Sequence, residues 1–130
     1  MAKITYTDTP YKPFQADVPD NLVGKEGYAV EIVGGGNNNI QLYNAGIPIG
    51  VLFQRLEGSA GWNVRLFGKG GTLRAIAGGA INAPAYVKVQ AGGKMIAANS
   101  ADKCQGVAIY PDVMAANDVI EVIDNLQVMP

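Results

Sequence analysis

Short apolar segments separated by turn-forming residues occupy the chain from residue 27 onward. Tyr28, Val30 and Ile32 alternate with Ala29 and Glu31 at period two, which is the spacing of a half-buried strand. Similar segments predict further strands, one opening at Ile40 and Leu42 and the others at residues 49–56, 63–67, 72–77, 85–89, 94–97, 105–110 and 119–123. The pattern predicts a mainly β fold whose core is a compact barrel or a bent β-ribbon.

One short helix is predicted at residues 111–117. Pro111 fits the first turn of a helix, and Asp112 complements the helix dipole there. The segment is barely two turns long, so it adds little to the β core.

Residues 1–22 are predicted to form an extended N-terminal arm ahead of a single β-rich domain at residues 23–130. Prolines at positions 10, 13 and 19 interrupt any helix and disfavour a central strand. The arm is nevertheless rich in apolar side chains for a chain terminus, because it contains Ile4, Tyr6, Tyr11 and Phe14. It is either a frayed end or a segment that orders on a partner and donates backbone hydrogen bonds to an exposed sheet edge.

Residues 50–68 and 106–124 echo each other. Each begins with Gly-Val and two apolar residues, continues through a connection, and reaches Asn or Asp beside a Val-rich strand. Two strand–connection–strand units of similar length would produce this echo, and so would chance similarity between β-rich segments.

The composition excludes several functional classes. The net charge is −1 and no Lys/Arg cluster is present, so a nucleic-acid partner is not expected. No apolar run approaches a membrane span or a signal peptide, and the single cysteine, Cys104, has no partner for an internal disulfide. We therefore expect a soluble protein made in a reducing cytoplasm. Charged residues are only 16% of the chain, which points to a surface shared with another subunit.

The glycine-rich run at residues 68–72 raises the question of phosphate binding. A P-loop needs a glycine five residues before its second glycine and Lys-Ser/Thr directly after it, but Asn63 lies at the first place and Gly70 follows Lys69. A dinucleotide fingerprint also fails, because Leu73 occupies the position of its third glycine. The run is therefore predicted to be a tight turn between two strands.

No enzymatic activity, cofactor or metal is predicted. Histidine is absent, which removes the commonest general base and metal ligand, and Cys104 is interpreted as a packed strand residue. The carboxylates near the C-terminus are interpreted mostly as turn and solvent-face residues: Asp112, Asp118, Glu121 and Asp124.

Trp62 is the only tryptophan, in a glycine-flanked connection. Its large ring is expected to pack inside the protein, with an anchoring role at an interface as the alternative.

Residues 71–122 resemble the capsid cement, or head decoration, proteins of tailed phages, including the lambda-like head-stabilising proteins. The matching pieces are short turn and strand motifs: Gly79-Ala80-Ile81, Tyr86-Val87-Lys88, Gly93-Lys94, Gly106-Val107-Ala108, Ala115-Ala116-Asn117 and Asp118–Val122.

The resemblance implies a small β protein, of β-clip or β-tulip type, that trimerises on the outer surface of an expanded phage head. It would bind the major capsid protein and cement neighbouring capsid subunits against genome pressure. In such families an N-terminal arm often contacts the capsid, which makes the predicted contact residues Ile4, Tyr6, Tyr11, Pro13 and Phe14. Trp62 is the further interface candidate.

Two other functions stay open at this stage. One is a carbohydrate-binding β module, which would show a patch of exposed aromatic side chains. The other is a different non-enzymatic virion subunit, such as a tail-tube or head-completion protein.

Overall fold

The computed structural model describes residues 9–34, 39–56, 60–99 and 102–128. Five strands form a closed barrel: β1 (Tyr11–Ala16), β2 (Ala29–Ile32), β3 (Asn39–Leu42), β4 (Pro48–Arg55) and β5 (Gly61–Leu66). Five more form a second sheet, called here the half-barrel: β6 (Thr72–Ile76), β8 (Ala85–Val89), β9 (Met95–Ala97), β10 (Lys103–Tyr110) and β12 (Val119–Val128). A two-stranded insert pairs β7 (Ile81–Asn82) with β11 (Val113–Met114).

The barrel follows the order β1-β3-β2-β4-β5 and closes through β1. Strand β1 runs antiparallel to β5 and, at its far end, parallel to β3 through the pair Ala16–Ile40. Its interior is filled by inward-facing side chains: Phe14, Ala16, Leu22, Val30, Ile40, Leu52, Trp62 and Val64.

The half-barrel repeats the barrel strand for strand. Its order is β6-β12-β10-β8-β9, and a single parallel bridge, Ala77–Met95, joins its two outer strands where β1 and β3 pair in the barrel. In the barrel Gly50 lies opposite Leu66 and the register shifts between Leu52 and Gln54. The half-barrel has a glycine and a register shift in equivalent places. Gly106 lies opposite Asp124, and the register shifts between Ala108 and Tyr110. The sequence echo is therefore confirmed as two equivalent strand pairs.

The predicted helix at residues 111–117 is wrong. This segment contains β11, whose Met114 is buried, and it reverses at Asn117 with φ 74°. A helix of two turns has little stability of its own, whereas the extended form lets Met114 enter the core and pair with β7. The short helix that does form is a 3-10 helix at Pro19–Leu22, with proline in its first turn.

The barrel begins at Tyr11, within the segment predicted as an arm. Residues 11–15 pair with β5, and Phe14 is buried in the barrel core. Hydrogen bonds from Leu66 N–H to the Pro10 carbonyl and from Ala16 N–H to the Ala60 carbonyl fix which β1 amides face β5. The backbone nitrogen of residue 13 points away from β5, so the missing N–H of Pro13 removes no hydrogen bond between β1 and β5. Residue 22 is therefore not a structural boundary.

The described residues contain no helix with the length and apolar character needed to cross a membrane.

Candidate interaction surface

The glycine-rich loop wraps a carboxylate that belongs to the chain itself. The N–H groups of Gly68, Lys69 and Gly70 donate to the Asp124 carboxylate at 2.9, 2.8 and 3.0 Å. Gly68 and Gly70 both have φ of 82°, a conformation that favours glycine. The loop is a turn between β5 and β6, as predicted, and its amides are already used by an internal anion.

Asp124 also pairs with Arg65 inside the protein. The Arg65 Nη1 lies 3.1 Å from Asp124 Oδ2, and their side chains are 6% and 0% exposed. Arg65 further donates to the carbonyl groups of Leu66, Gly70 and Thr72. Because Arg65 belongs to β5 and Asp124 to β12, this network ties the barrel to the half-barrel.

Sequence reasoning missed both members of this pair. The sequence groups Asp124 with carboxylates that are mostly interpreted as turn and solvent-face residues, and it predicts no role for Arg65. The available signal was the glycine-rich run at residues 68–72, because a tight loop of small residues leaves several backbone N–H groups in need of an acceptor.

A groove of about 400 Å³ lies between the barrel and the half-barrel. Its barrel wall includes Tyr11 and Phe53, whose ring centroids are 4.7 Å apart, and its opposite wall includes Arg74, Tyr110 and Glu121. Phe53 is 44% exposed and Tyr110 66% exposed, which is high for aromatic side chains in a folded protein. The groove combines apolar ring faces with a cation and an anion, and such a surface is typical of a binding site.

Glu31 organises a second loop, on the barrel. Its carboxylate accepts hydrogen bonds from the Asn44 and Gly46 N–H groups at 2.8 and 2.9 Å and from Gln41 Nε2 at 2.8 Å. Burial works to raise the pKa of Glu31, but these hydrogen bonds and one from Ala45 together outweigh it and lower the pKa below 4.5. Glu31 is therefore a structural anion.

The predicted contact residues occupy different environments. Tyr11 lines the groove, Pro13 is exposed on β1, and Phe14 is 8% exposed in the barrel core. Ile4 and Tyr6 lie outside the described residues. The structure therefore brings Tyr11 and Pro13 to the surface and commits Phe14 to packing.

Trp62 and Cys104 are both buried. Trp62 is 1% exposed in the barrel core, so its ring packs inside the chain and offers no surface for an interface. Cys104 is also 1% exposed, in β10, as expected for a packed strand residue. Within the described ranges no group of three or more His, Cys, Asp or Glu side chains is placed to hold a metal ion.

Comparison with solved structures gives a likeness in fold. No family model matches the chain, and no curated protein matches it. A solved structure, the N base of the head fiber protein gp8.5 of bacteriophage phi29, matches with a TM-score of 0.64. The chain shares its fold with a phage head fiber base. The match covers 88% of this chain and 92% of that one at 14% sequence identity, so it shows the fold alone.

Proposed function

We propose that this chain is a structural protein of a phage virion. In this proposal it binds the outer surface of the head as a homotrimer and cements neighbouring subunits of the major capsid protein. The observation that carries the proposal is the fold shared with a phage head fiber base over nearly the whole length of both chains. The proposal assigns no catalytic step to the chain, and the resemblance to head decoration proteins supports it from the sequence.

The exposed apolar side chains suit a role in assembly. Four of them are more than half exposed and belong to or adjoin strands: Ile47 at 79%, Val113 at 74%, Tyr110 at 66% and Val119 at 59%. The buried centre of a protein interface is more apolar than the rest of the surface, and aromatic side chains such as that of Tyr110 are enriched there. Three linked copies strengthen a weak single contact by about 10²–10⁴-fold where the geometry allows all three to engage.

Co-sedimentation with expanded, protein-only heads of the cognate phage tests the proposal directly. We expect saturable binding by the full chain, and sedimentation equilibrium is expected to give three times the mass of 13.6 kDa. Binding to tails but not to heads would instead favour a tail subunit. No binding to heads would overturn the cement function.

A shortened chain lacking residues 1–8 tests the predicted contact of Ile4 and Tyr6 with the capsid. Weakened binding by the shortened chain supports that contact. Equal binding by both chains keeps the function and removes these residues from the contact. Lys103→Ala, a change of an exposed polar side chain, is the matched control for a change elsewhere on the surface.

A further inference from the structure

Three apolar side chains form a row on the outer face of the half-barrel, called here the outer row. Tyr86, Val107 and Ile123 lie directly opposite one another on β8, β10 and β12. Their side chains point away from the core, because the adjacent residues Val87 and Val122 are fully buried on the inner face. Tyr86 is 38% exposed, Ile123 is 41% exposed, and Val107 is partly exposed. An antiparallel sheet with one buried face normally has polar residues on the other, so an apolar row there needs an explanation.

The equivalent row of the barrel is covered by another sheet. The strand registers place Ala29, Val51 and Arg65 at the positions that correspond to the outer row. Ala29 and Val51 are 0% and 2% exposed, and both belong to the hydrophobic core of the half-barrel. The barrel therefore packs this face against a sheet of its own topology. The same face of the half-barrel has the apolar character for such packing and remains exposed in the single chain.

The charges that border the outer row are balanced. In β12, Glu121 lies two residues along the strand from the row, directly opposite Arg74, and both are exposed. In β8, Lys88 lies two residues along from the row, and its Nζ is 3.0 Å from Asp102 Oδ2. Each place has one cation beside one anion. A partner with a strong charge of one sign finds no complement here, whereas a second copy brings the same apolar centre and the same balanced border.

We propose that the outer row is the contact between copies of this chain, with the row of one copy packed against the same row of its neighbours. This inference rests on the proposed function, because it names the surface through which the homotrimer forms. Residues that lie at a symmetry axis meet their own counterparts, so each copy supplies the same apolar side chains. The barrel packs on the inner face of the half-barrel, so a contact through the outer face places the barrels at the periphery of the assembly.

Sedimentation equilibrium of two matched isoleucine variants tests the inference. Ile123→Asp puts an unpaired carboxylate into the proposed contact, where its burial is unfavourable. Ile32→Asp is the control, because Ile32 is also a strand residue, in β2, and is 42% exposed. We expect the native chain and Ile32→Asp to form the same oligomer, and Ile123→Asp to have the mass of one chain, 13.6 kDa. An unchanged oligomer for Ile123→Asp would overturn the inference.

A second variant on another strand guards against a local effect on folding. Tyr86→Asp changes the opposite end of the outer row, in β8. Thermal unfolding of each variant establishes that it is folded before its mass is compared. Loss of the oligomer in folded Ile123→Asp and folded Tyr86→Asp supports the contact. Retention of the oligomer in both contradicts it.

Co-sedimentation with expanded heads separates this inference from the proposed function. A trimer that persists in Ile123→Asp and still binds heads overturns the contact and keeps the cement function. A trimer that persists in Ile123→Asp but no longer binds heads assigns the outer row to the capsid protein, which also overturns the contact between copies. A native chain with the mass of one copy overturns both the contact and the homotrimer.

Discussion

The barrel and the half-barrel share one topology but complete their cores differently. Three equivalent inward positions carry larger side chains in the barrel than in the half-barrel: Phe14 against Ala75, Leu52 against Ala108, and Trp62 against Ile120. The barrel strands, together with Leu22 of the 3-10 helix, therefore fill the barrel interior, whereas the half-barrel strands leave space. The same backbone plan is thus compatible with two different ways of reaching close packing.

The two-stranded insert supplies large apolar side chains to the core of the half-barrel. Ile81 of β7 and Met114 of β11 are 2% and 1% exposed, and both belong to the core of the half-barrel. The barrel has no such insert among the described residues. Among the residues that the structure describes, the bridge Ala77–Met95 joins the outer strands of this sheet, and side chains from its connections complete its core.

Both sheets have a glycine at the equivalent position of a strand pair. A Cβ on Gly50 would lie 2.2 Å from the Arg65 carbonyl oxygen, and one on Gly106 would lie 2.0 Å from the Ile123 carbonyl oxygen. In both sheets the paired strands approach so closely at this point that no side chain fits. This close approach is retained where the core side chains differ.

Removing the carboxylate that joins the two sheets is expected to have the largest effect. Asp124→Ala leaves Arg65 as an unpaired buried cation and deprives the N–H groups of Gly68, Lys69 and Gly70 of their acceptor. Breaking a buried pair in this way costs about 3–5 kcal/mol of unfolding free energy. Urea denaturation measures the loss.

A double-mutant cycle with Arg65→Met identifies the source of that loss. If the unpaired cation dominates, the double variant is more stable than Asp124→Ala alone. A loss below about 1 kcal/mol for Asp124→Ala, within the range of an exposed ion pair, would show that the network does not join the sheets.

Truncating the insert tests whether it completes the half-barrel. Met114→Ala is expected to lower the unfolding free energy by about 2–5 kcal/mol, because it opens a cavity in a core whose strands carry small residues. The neighbouring residue Val113 is 74% exposed, so Val113→Ala is the matched control and should change stability little. Similar values for both variants, from urea denaturation, would mean that the insert is not part of the core.

Substituting the paired glycines tests the equivalence of the two sheets. Gly50→Ala and Gly106→Ala both force a Cβ against a carbonyl oxygen, and each should cost about 1–3 kcal/mol. A Cβ on Gly79 has no atom within 4 Å, so Gly79→Ala is the control, with no such loss. Thermal unfolding of the three variants gives the comparison. A loss at only one of the two strand glycines would limit the equivalence to topology.

The smallest effect is expected from the pH dependence of the barrel. The pKa of Glu31 is lower in the folded chain than its ordinary value of 4.5, so its ionised form stabilises the fold. That contribution is fully present above pH 4.5 and is lost as the pH falls through the lower folded-state pKa. Urea denaturation over this range should show a steeper decline for the native chain than for Glu31→Gln. Identical slopes would rule out this role for Glu31.

The period-two pattern was sufficient to locate most strands. The prediction at residues 85–89 has the same bounds as β8, and that at residues 72–77 extends β6 by one residue. Strand β1 was missed because prolines were taken to exclude pairing, although Pro13 faces away from β5. Strands β7 and β11 are only two residues long, so they show no hydrophobic periodicity from which they could be predicted.

The sequence by itself determined the class of structure. Alternating apolar residues and frequent glycine favour many short strands, because these are local properties of the chain. The echo of residues 50–68 in 106–124 is compatible with two similar units, and the strand registers confirm them. Tertiary structure alone decided which residues meet across the sheets. Arg65 and Asp124 are 59 positions apart, and only folding removes both from water, so their pairing has no signature in either local segment.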